Sequence, residues 1–194
     1  VRDQNHPVPG TVGPVFPGTE IKIVDEHGKA LPPGKKGLVL ARGPQVMLGY
    51  YKKPELTEAI LDSEGWLNTG DLGMLTIHNE LKIVGRAKDT IVLLGGENVE
   101  PLPIEDAMKE SIYIERAVLL GQDQKFLGAL IVPDFDALEK FAQENSVTYD
   151  DRGSLVSTPE VQELINAEIS ELVSPKRGFK SFERVFRFAV LEED

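Results

Sequence analysis

The sequence predicts an α+β fold in two parts. A small antiparallel β-barrel or sandwich is expected over residues 1–87, and a C-terminal α+β domain with about three helices and a small sheet over residues 88–194. The first part carries short alternating runs of apolar and polar residues, divided by Gly and Pro. After Lys88, apolar residues at helical spacing intervene between near-continuous apolar runs, which indicates mixed helix and strand. A content of 41% apolar and 27% charged residues is typical of a globular protein with a packed core.

Four strands are predicted in the first part, at "EIKIVDE", "LVLARG", "MLTIHN" and "ELKIVG". The last two form a hairpin that reverses between His78 and Glu80. Leu56, Ala59 and Ile60 lie at helical spacing in "KPELTEAILDSEGW", so a short helix ending near Gly65 is expected there.

Three helices and a hairpin are predicted in the second part. The first helix runs from Pro103 to Glu110, and "ALEKFAQEN" is the second. "RAVLLG" and "GALIVPD" suit a buried hairpin. "STPEVQELINAEISELVS" is the clearest helix, because Ser157 or Thr158 can cap it, Pro159 suits its first turn, and its apolar residues form one stripe.

Charge and composition exclude several classes of function. With 21 basic and 32 acidic residues the formal net charge is −11, which argues against binding a nucleic-acid backbone. The chain has no cysteine, and its three histidines are too widely spaced for a metal site, so none is assigned. No apolar run reaches the roughly 18 residues of a membrane-spanning helix, which favours a cytoplasmic protein. Both ends look cut, and a piece of a larger polypeptide is expected.

The stretch "NTGDLGMLTIHNELKIVGRAKD" places Asp71 just before one strand of the predicted hairpin and Arg86 just after the other. A carboxylate presented by a Gly-containing turn can accept both hydroxyls of a ribose or another vicinal diol, and a guanidinium can donate to the same group. The structural alternatives are a turn aspartate and an ordinary salt bridge.

Four segments in order resemble motifs of the adenylate-forming superfamily: "GLVLARGPQVMLGYYKKPELTEAIL", "GWLNTGDLG", "GRAKDTIVLLGGENVEPLPIED" and "GFKSFERV". The third and fourth are most similar to the long-chain fatty acyl-CoA synthetase branch. The resemblance implies a two-step ligase. A fatty acid and ATP give an acyl-adenylate and pyrophosphate, and coenzyme A then displaces AMP to give acyl-CoA.

The resemblance also implies roles for particular residues. Asp71 would bind the ribose hydroxyls with help from Arg86, and Lys88 would be the hinge about which the C-terminal domain swings. Gly95, Gly96, Glu97 and Asn98 would form the loop that lines the pantetheine tunnel of coenzyme A; an ordinary strand-ending turn is the alternative. The loop departs from the superfamily's commoner Gly-x-Arg form, so no arginine is carried over.

The resemblance further implies parts that this chain does not contain. A phosphate loop and a glutamate that holds Mg²⁺ would lie in an N-terminal domain of the same polypeptide, and the lysine used in adenylation would lie beyond Asp194. No catalytic residue is therefore assigned, and Lys176 and Lys180 are not taken as that lysine. Both belong to the basic segment "SPKRGFKSFER", which is expected to contact coenzyme A phosphates or a membrane surface, or else to be solvated.

Two other functions stay open from the sequence. One is an adenylate-forming ligase for another carboxylic acid, since the acyl pocket would lie in the part that is missing. The other is a non-enzymatic nucleotide-binding or interaction module built from the same two domains.

Overall fold

The structure, a computed structural model, describes residues 8–192, and the chain divides into two compact units, Val1–Asp89 and Thr90–Asp194. The predicted α+β class is confirmed. The predicted domains, 1–87 and 88–194, place their boundary two residues earlier than this division.

Over residues 8–89, unit 1 contains five strands and one short helix. These are β1 (Gly13–Pro14), β2 (Glu20–Val24), β3 (Gly37–Arg42), α1 (Pro54–Glu58), β4 (Leu67–Leu75) and β5 (Glu80–Arg86). The strands form one antiparallel sheet in the order β1-β5-β4-β3-β2, so the predicted barrel or sandwich is an open sheet with β1 and β2 at its edges. β2, β3 and β5 confirm three of the four predicted strands, whereas β4 shares only Met74 and Leu75 with the predicted "MLTIHN". The β4–β5 hairpin turns through Asn79, whose φ is 59°.

The buried core of unit 1 is small, and Trp66 is 8% exposed. Ile23, Val24 and Val39 are buried in the same unit. Arg42 lies over the indole of Trp66, with its Cζ 4.5 Å from the ring centroid, and is held there by a bidentate pair with Glu20. The pairing with Arg42 lowers the pKa of Glu20 below its ordinary value of 4.5.

Helix α1 is shorter than predicted. It ends at Glu58 instead of continuing towards Gly65, and it has no buried residue. The cause is a competing turn, because Oδ1 of Asp62 accepts hydrogen bonds from the backbone N–H groups of Glu64 and Trp66 at 2.9 and 2.8 Å. A bridge between Leu61 and Leu67 then leads the chain into the sheet.

Over residues 90–192, unit 2 contains five strands and four helices. These are β6 (Ile91–Val92), β7 (Asn98–Val99), α2 (Pro101–Met108), β8 (Ile114–Leu120), β9 (Leu127–Pro133), α3 (Phe135–Glu144), α4 (Arg152–Ser157), α5 (Pro159–Leu172) and β10 (Val185–Val190). Two short 3₁₀ turns, Pro175–Arg177 and Ser181–Glu183, precede β10. β6 and β7 pair with each other, and the other three strands form a sheet in the order β10-β9-β8.

The predicted hairpin of β8 and β9 is confirmed, whereas β10 joins β9 in parallel. Alternate residues of β9 are buried, and with the inward faces of α2, α3 and α5 they form one hydrophobic core. The largest fully buried side chains of this core are Ile104, Met108, Leu127, Ile131, Leu138, Leu155 and Ile165.

Helices α3, α4 and α5 begin at side-chain caps, whereas α2 has none. Oγ1 of Thr158 accepts from the Val161 N–H, as predicted for α5, and Oδ1 of Asp134 caps α3 by accepting from the Ala137 N–H at 3.0 Å. α2 begins at Pro101, two residues before the predicted start, because prolines are tolerated throughout a first turn.

α4 is a fourth helix, where about three were predicted. Its cap is Asp151, which accepts from the Ser154 N–H at 2.7 Å. This hydrogen bond lowers the pKa of Asp151 below its ordinary value of 3.8.

Candidate functional site

The β4–β5 hairpin brings Asp71 and Arg86 together. They are direct cross-strand partners and the last pair of this ladder. Both lie inside their strands, so the predicted positions just outside them are wrong. β4 begins at Leu67, four residues before Asp71, because its earlier residues pair with β3. The two side chains nevertheless meet at the end of the hairpin opposite to its turn.

The backbone around Asp71 is held by its neighbours in "NTGD". Asn68 Oδ1 accepts from the Gly70 N–H at 2.9 Å, and Thr69 Oγ1 accepts from the Asp71 N–H at 3.1 Å. The Thr69 hydroxyl also donates to the carbonyl of Val39 on the neighbouring strand, at 2.9 Å. Asn68 and Thr69 therefore position the carboxylate, a role that the sequence reasoning missed, although the motif letters contain the signal.

Gly70 has a conformational reason to be glycine. Its φ is +74°, and a Cβ there would lie 3.5 Å from Nη2 of Arg86. Its carbonyl accepts from the Ala87 N–H at 2.9 Å, which ties the two strands together beyond the Asp71–Arg86 pair. A side chain at this position would be strained by the positive φ, whereas its Cβ would only make ordinary van der Waals contact with the guanidinium.

The Asp71–Arg86 ion pair uses only some of the polar atoms of its two side chains. Arg86 Nη1 donates to Asp71 Oδ1 at 2.7 Å, and the Asp71 and Arg86 side chains are 26% and 59% exposed. Within residues 8–192, Asp71 Oδ2 accepts no hydrogen bond, and Nε and Nη2 of Arg86 have no acceptor. The pair therefore presents a carboxylate oxygen and guanidinium donors side by side, the arrangement that a vicinal diol requires.

Lys88 lies between this hairpin and the division of the chain after Asp89. It is exposed and occupies a turn closed by a hydrogen bond of 3.1 Å from the Asp89 N–H to the Arg86 carbonyl. Its role as a hinge stays a prediction.

The four predicted loop residues lie together in unit 2. They form the turn and the first residue of β7 in the β6–β7 hairpin, where Gly96 has φ +87° and donates to the Leu93 carbonyl at 2.8 Å. The Glu97 carboxylate folds back over Gly95, and Gly95, Gly96 and Asn98 are exposed. Two backbone hydrogen bonds fix this hairpin to the β8–β9 turn, from Leu94 to Gln124 and from Asp123 to Val92, both 2.9 Å. The tip is thus an anchored, open backbone surface.

Glu105 of α2 has a structural contact. Its Oε1 accepts from the Leu119 N–H on β8 at 2.8 Å, which joins the helix to the sheet.

No group of three metal-ligating side chains converges in the part of the chain that the structure describes. Among the helices of that part, none is both long and apolar enough to cross a membrane.

Comparison with known families matches both units. Residues 1–51 match the family described as "AMP-binding enzyme", and residues 88–170 match "AMP-binding enzyme C-terminal domain".

Two curated relatives are similar over most of this chain. The chloroplastic long-chain-fatty-acid–[acyl-carrier-protein] ligase AEE15 of Arabidopsis thaliana is 47% identical over 148 residues, which cover 71% of this chain and 20% of that protein. The long-chain-fatty-acid–CoA ligase FadD15 of Mycobacterium tuberculosis is 37% identical over 164 residues, which cover 84% of this chain and 25% of that protein. The chain thus spans a fifth to a quarter of the length of these relatives.

Among solved structures, ATP-bound MatB from Rhodopseudomonas palustris superposes with a TM-score of 0.69 at 25% identity, covering 98% of this chain and 33% of that one. The fold, the "NTGD" hairpin and the family matches on both units all indicate the same family. This chain belongs to the AMP-binding, adenylate-forming enzyme family.

Proposed function

We propose that this chain is part of an acid–thiol ligase that activates a long-chain fatty acid with ATP. In the first step a carboxylate oxygen of the acid attacks the α-phosphorus of ATP, which gives acyl-adenylate and pyrophosphate. In the second step a pantetheine thiolate attacks the acyl carbon, and AMP leaves with the bonding electron pair. Coenzyme A is the acceptor expected from the sequence, and a carrier protein presents the same thiol. The names of the two relatives support the long-chain acid and both acceptors.

The observation that carries this proposal is the open Asp71–Arg86 pair. Oδ2 of Asp71 accepts the two ribose hydroxyls, while Arg86 holds the carboxylate through Oδ1 and donates to a hydroxyl oxygen with its other N–H groups. These contacts bind and orient the nucleotide in both steps, because ribose is present in ATP, acyl-adenylate and AMP alike. Neither residue touches the reacting phosphorus.

Lys88 and the β6–β7 hairpin serve the second step in this proposal. Rotation at Lys88 brings the Gly95–Gly96 backbone beside the pantetheine arm, and at Gly96, where nothing lies within 4 Å of the Cβ position, the missing side chain permits close approach. Lys88→Pro, which restricts φ at that point, slows thioester formation more than adenylation, whereas Lys88→Ala has little effect. Equal loss of both half-reactions in Lys88→Pro would contradict the hinge.

The phosphate loop and the glutamate that holds Mg²⁺ lie, in this proposal, in an N-terminal domain of the same polypeptide, and the adenylation lysine lies beyond Asp194. A cytoplasmic location and peripheral membrane contact remain predictions.

The direct test is titration of this chain with AMP, followed by NMR of its backbone amides. The proposal expects shifts at Gly70, Asp71 and Ala87, and none for Asp71→Ala. Absence of shifts in the hairpin of the unaltered chain at millimolar AMP would contradict nucleotide binding at this pair.

Activity tests separate the alternatives. Pyrophosphate release by the complete polypeptide, measured with palmitate, with a medium-chain acid and with an aryl acid, identifies the acid. Nucleotide binding by that polypeptide without pyrophosphate release for any acid would instead favour the non-enzymatic module.

A further inference from the structure

The sheet of unit 2 leaves one face uncovered by the helices. Along β9, Leu127, Ala129 and Ile131 point into the core, so the residues between them point to the other side. The pairing register brings three rows to that outer face: Leu120–Gly128–Arg187, Val118–Leu130–Ala189 and Arg116–Val132. Val118 and Leu120 are 51% and 48% exposed there. An apolar strip therefore crosses the outside of the sheet.

Two phenylalanines and two arginines extend this strip at one end. Phe126 in the β8–β9 turn contacts Phe186 on β10, with ring centroids 5.6 Å apart, and these residues are 38% and 58% exposed. Arg184 lies over Phe186 at 5.4 Å, and Arg187 lies over Phe126 at 5.5 Å. We call these four residues, with Val118 and Leu120, the Arg–Phe face.

A β-bulge creates this arrangement. Val185 pairs with Leu127 and Arg187 with Gly128, so Phe186 is an extra residue on β10. A bulge redirects the side chains at its position, and here Phe186 and Arg187 are both exposed although they are consecutive. Gly128, opposite Arg187, has no side chain to occupy the space between Arg187 and Leu120.

The two guanidiniums are held in place but not neutralised. Each lies against an aromatic ring, which limits its rotamers, and neither forms an ion pair with a carboxylate among residues 8–192. Their N–H donors are therefore available to an anionic partner, and little side-chain entropy remains to be lost on binding.

The surrounding charge makes this face distinctive. Residues 90–194 hold 10 of the 21 basic residues of the chain but 21 of its 32 acidic ones. Five of those ten basic residues lie in the short segment 176–187, which contains Glu183 as its one acidic residue. Half of the basic residues of an otherwise acidic unit thus lie in this segment; Arg177 is paired with Glu110, whereas Arg184 and Arg187 lie against the exposed phenylalanines.

A small acidic protein suits this face better than an anionic membrane. A membrane extends well beyond the basic segment, so its charge would also meet the acidic surface within one Debye length, about 8–10 Å. A small protein meets only the local positive potential, and the apolar strip with arginines at its edge has the usual composition of a protein interface.

We propose that the Arg–Phe face docks an acidic carrier protein, whose pantetheine thiol is the acyl acceptor. The proposal rests on the ligase function above, because that function is what gives a carrier protein a reason to bind. Carboxylates of the carrier pair with Arg184 and Arg187, and its apolar side chains cover Phe126, Phe186, Val118 and Leu120.

Binding of apo acyl carrier protein, which lacks the pantetheine arm, tests the surface alone. Calorimetry with the 194-residue chain is expected to show binding that weakens as salt rises. The double variant Arg184→Glu/Arg187→Glu is expected to weaken it by at least about tenfold, since like charges placed opposite each other are strongly unfavourable. Lys29→Glu/Lys140→Glu alters two exposed lysines by the same total charge and is expected to leave the Kd within about twofold.

A second variant, Phe186→Ser, keeps the charge and is also expected to weaken binding. Circular dichroism of every variant establishes that it is folded. No binding of apo carrier by the unaltered chain, or equal binding by the charge-reversed variant, would overturn the proposal. The proposal would also be overturned if the unaltered chain bound phosphatidylglycerol vesicles but no carrier, and the charge-reversed variant lost the vesicle binding. That result would assign the face to a membrane.

The docking assay involves no catalysis. A ligase that releases pyrophosphate but shows no carrier binding would contradict only this inference. Carrier binding by a protein that never releases pyrophosphate would contradict only the proposed function.

Discussion

Replacing Asp71 with alanine is expected to impair nucleotide use far more than folding. The Asp71–Arg86 pair is 26% and 59% exposed, so its contribution to the free energy of unfolding is about 0.2–1 kcal/mol. In the proposed complex the carboxylate accepts two ribose hydroxyls, and a hydrogen bond to a charged group is worth about 1.5–3 kcal/mol. Losing both costs about 3–6 kcal/mol, which is about 10²- to 10⁴-fold in affinity.

The assay is ATP-dependent pyrophosphate exchange by the complete ligase, with kcat/KM for ATP as the readout. Asp71→Asn keeps one acceptor oxygen, so its kcat/KM for ATP should lie between that of Asp71→Ala and that of the unaltered enzyme. Asp89→Asn removes a nearby exposed carboxylate in the turn after β5 and serves as the matched control. Urea unfolding of each variant measures the cost to stability.

Unchanged kcat/KM for ATP in Asp71→Ala would refute the reasoning. A loss of several kcal/mol in unfolding free energy would refute it differently, because the pair would then be a structural element and the kinetic loss a consequence of misfolding. Arg86→Gln distinguishes the two contributions, since it leaves Asp71 both carboxylate oxygens but removes the group that orients them.

The two remaining predictions concern stability. Leu138→Ala removes a side chain with 0% exposure from the core of unit 2 and should lower the free energy of unfolding in urea by about 2–5 kcal/mol. The control Val118→Ala changes an exposed residue and should lower it by under about 0.5 kcal/mol. A loss below about 1 kcal/mol for Leu138→Ala would contradict the core assignment. Because the pKa of Asp151 is lowered on folding, its carboxylate stabilises the fold above pH 3.8 and this stabilisation disappears as the pH falls through the lower folded-state value. The unaltered protein should therefore lose its advantage in Tm over Asp151→Asn on acidification, while a difference that stays constant with pH, or the same trend in Asp150→Asn, would contradict the linkage.

Sequence periodicity predicted the elements that combine a regular pattern with a recognisable boundary. α5 has an apolar stripe, a capping threonine and a proline in its first turn, and all three occur as expected. The β8–β9 hairpin was predictable because both strands are continuous apolar runs. Asp71 and Arg86 could be paired in advance because a two-stranded hairpin fixes which residues lie opposite each other.

Elements that depend on tertiary contacts could not be predicted in the same way. β6 and β7 have two residues each, too few to show any period, and α4 has six. The length of α1 was overestimated because the Asp62 side chain competes for the backbone. The exposed position of Phe186 follows from a bulge, which the alternation of "VFRFAV" does not reveal.

The parallel pairing of β10 with β9 constrains the order in which unit 2 assembles. β9 ends at Pro133 and β10 begins at Val185, with α3, α4 and α5 between them. On the ribosome, β8 and β9 can associate as soon as they emerge, but their sheet gains its third strand only after all three helices have been synthesised. Loop closure over such a separation is slow, so β10 is expected to be the last strand to join the sheet. The inward faces of α2, α3 and α5 can pack on β8 and β9 before that, and the arrival of β10 completes the sheet.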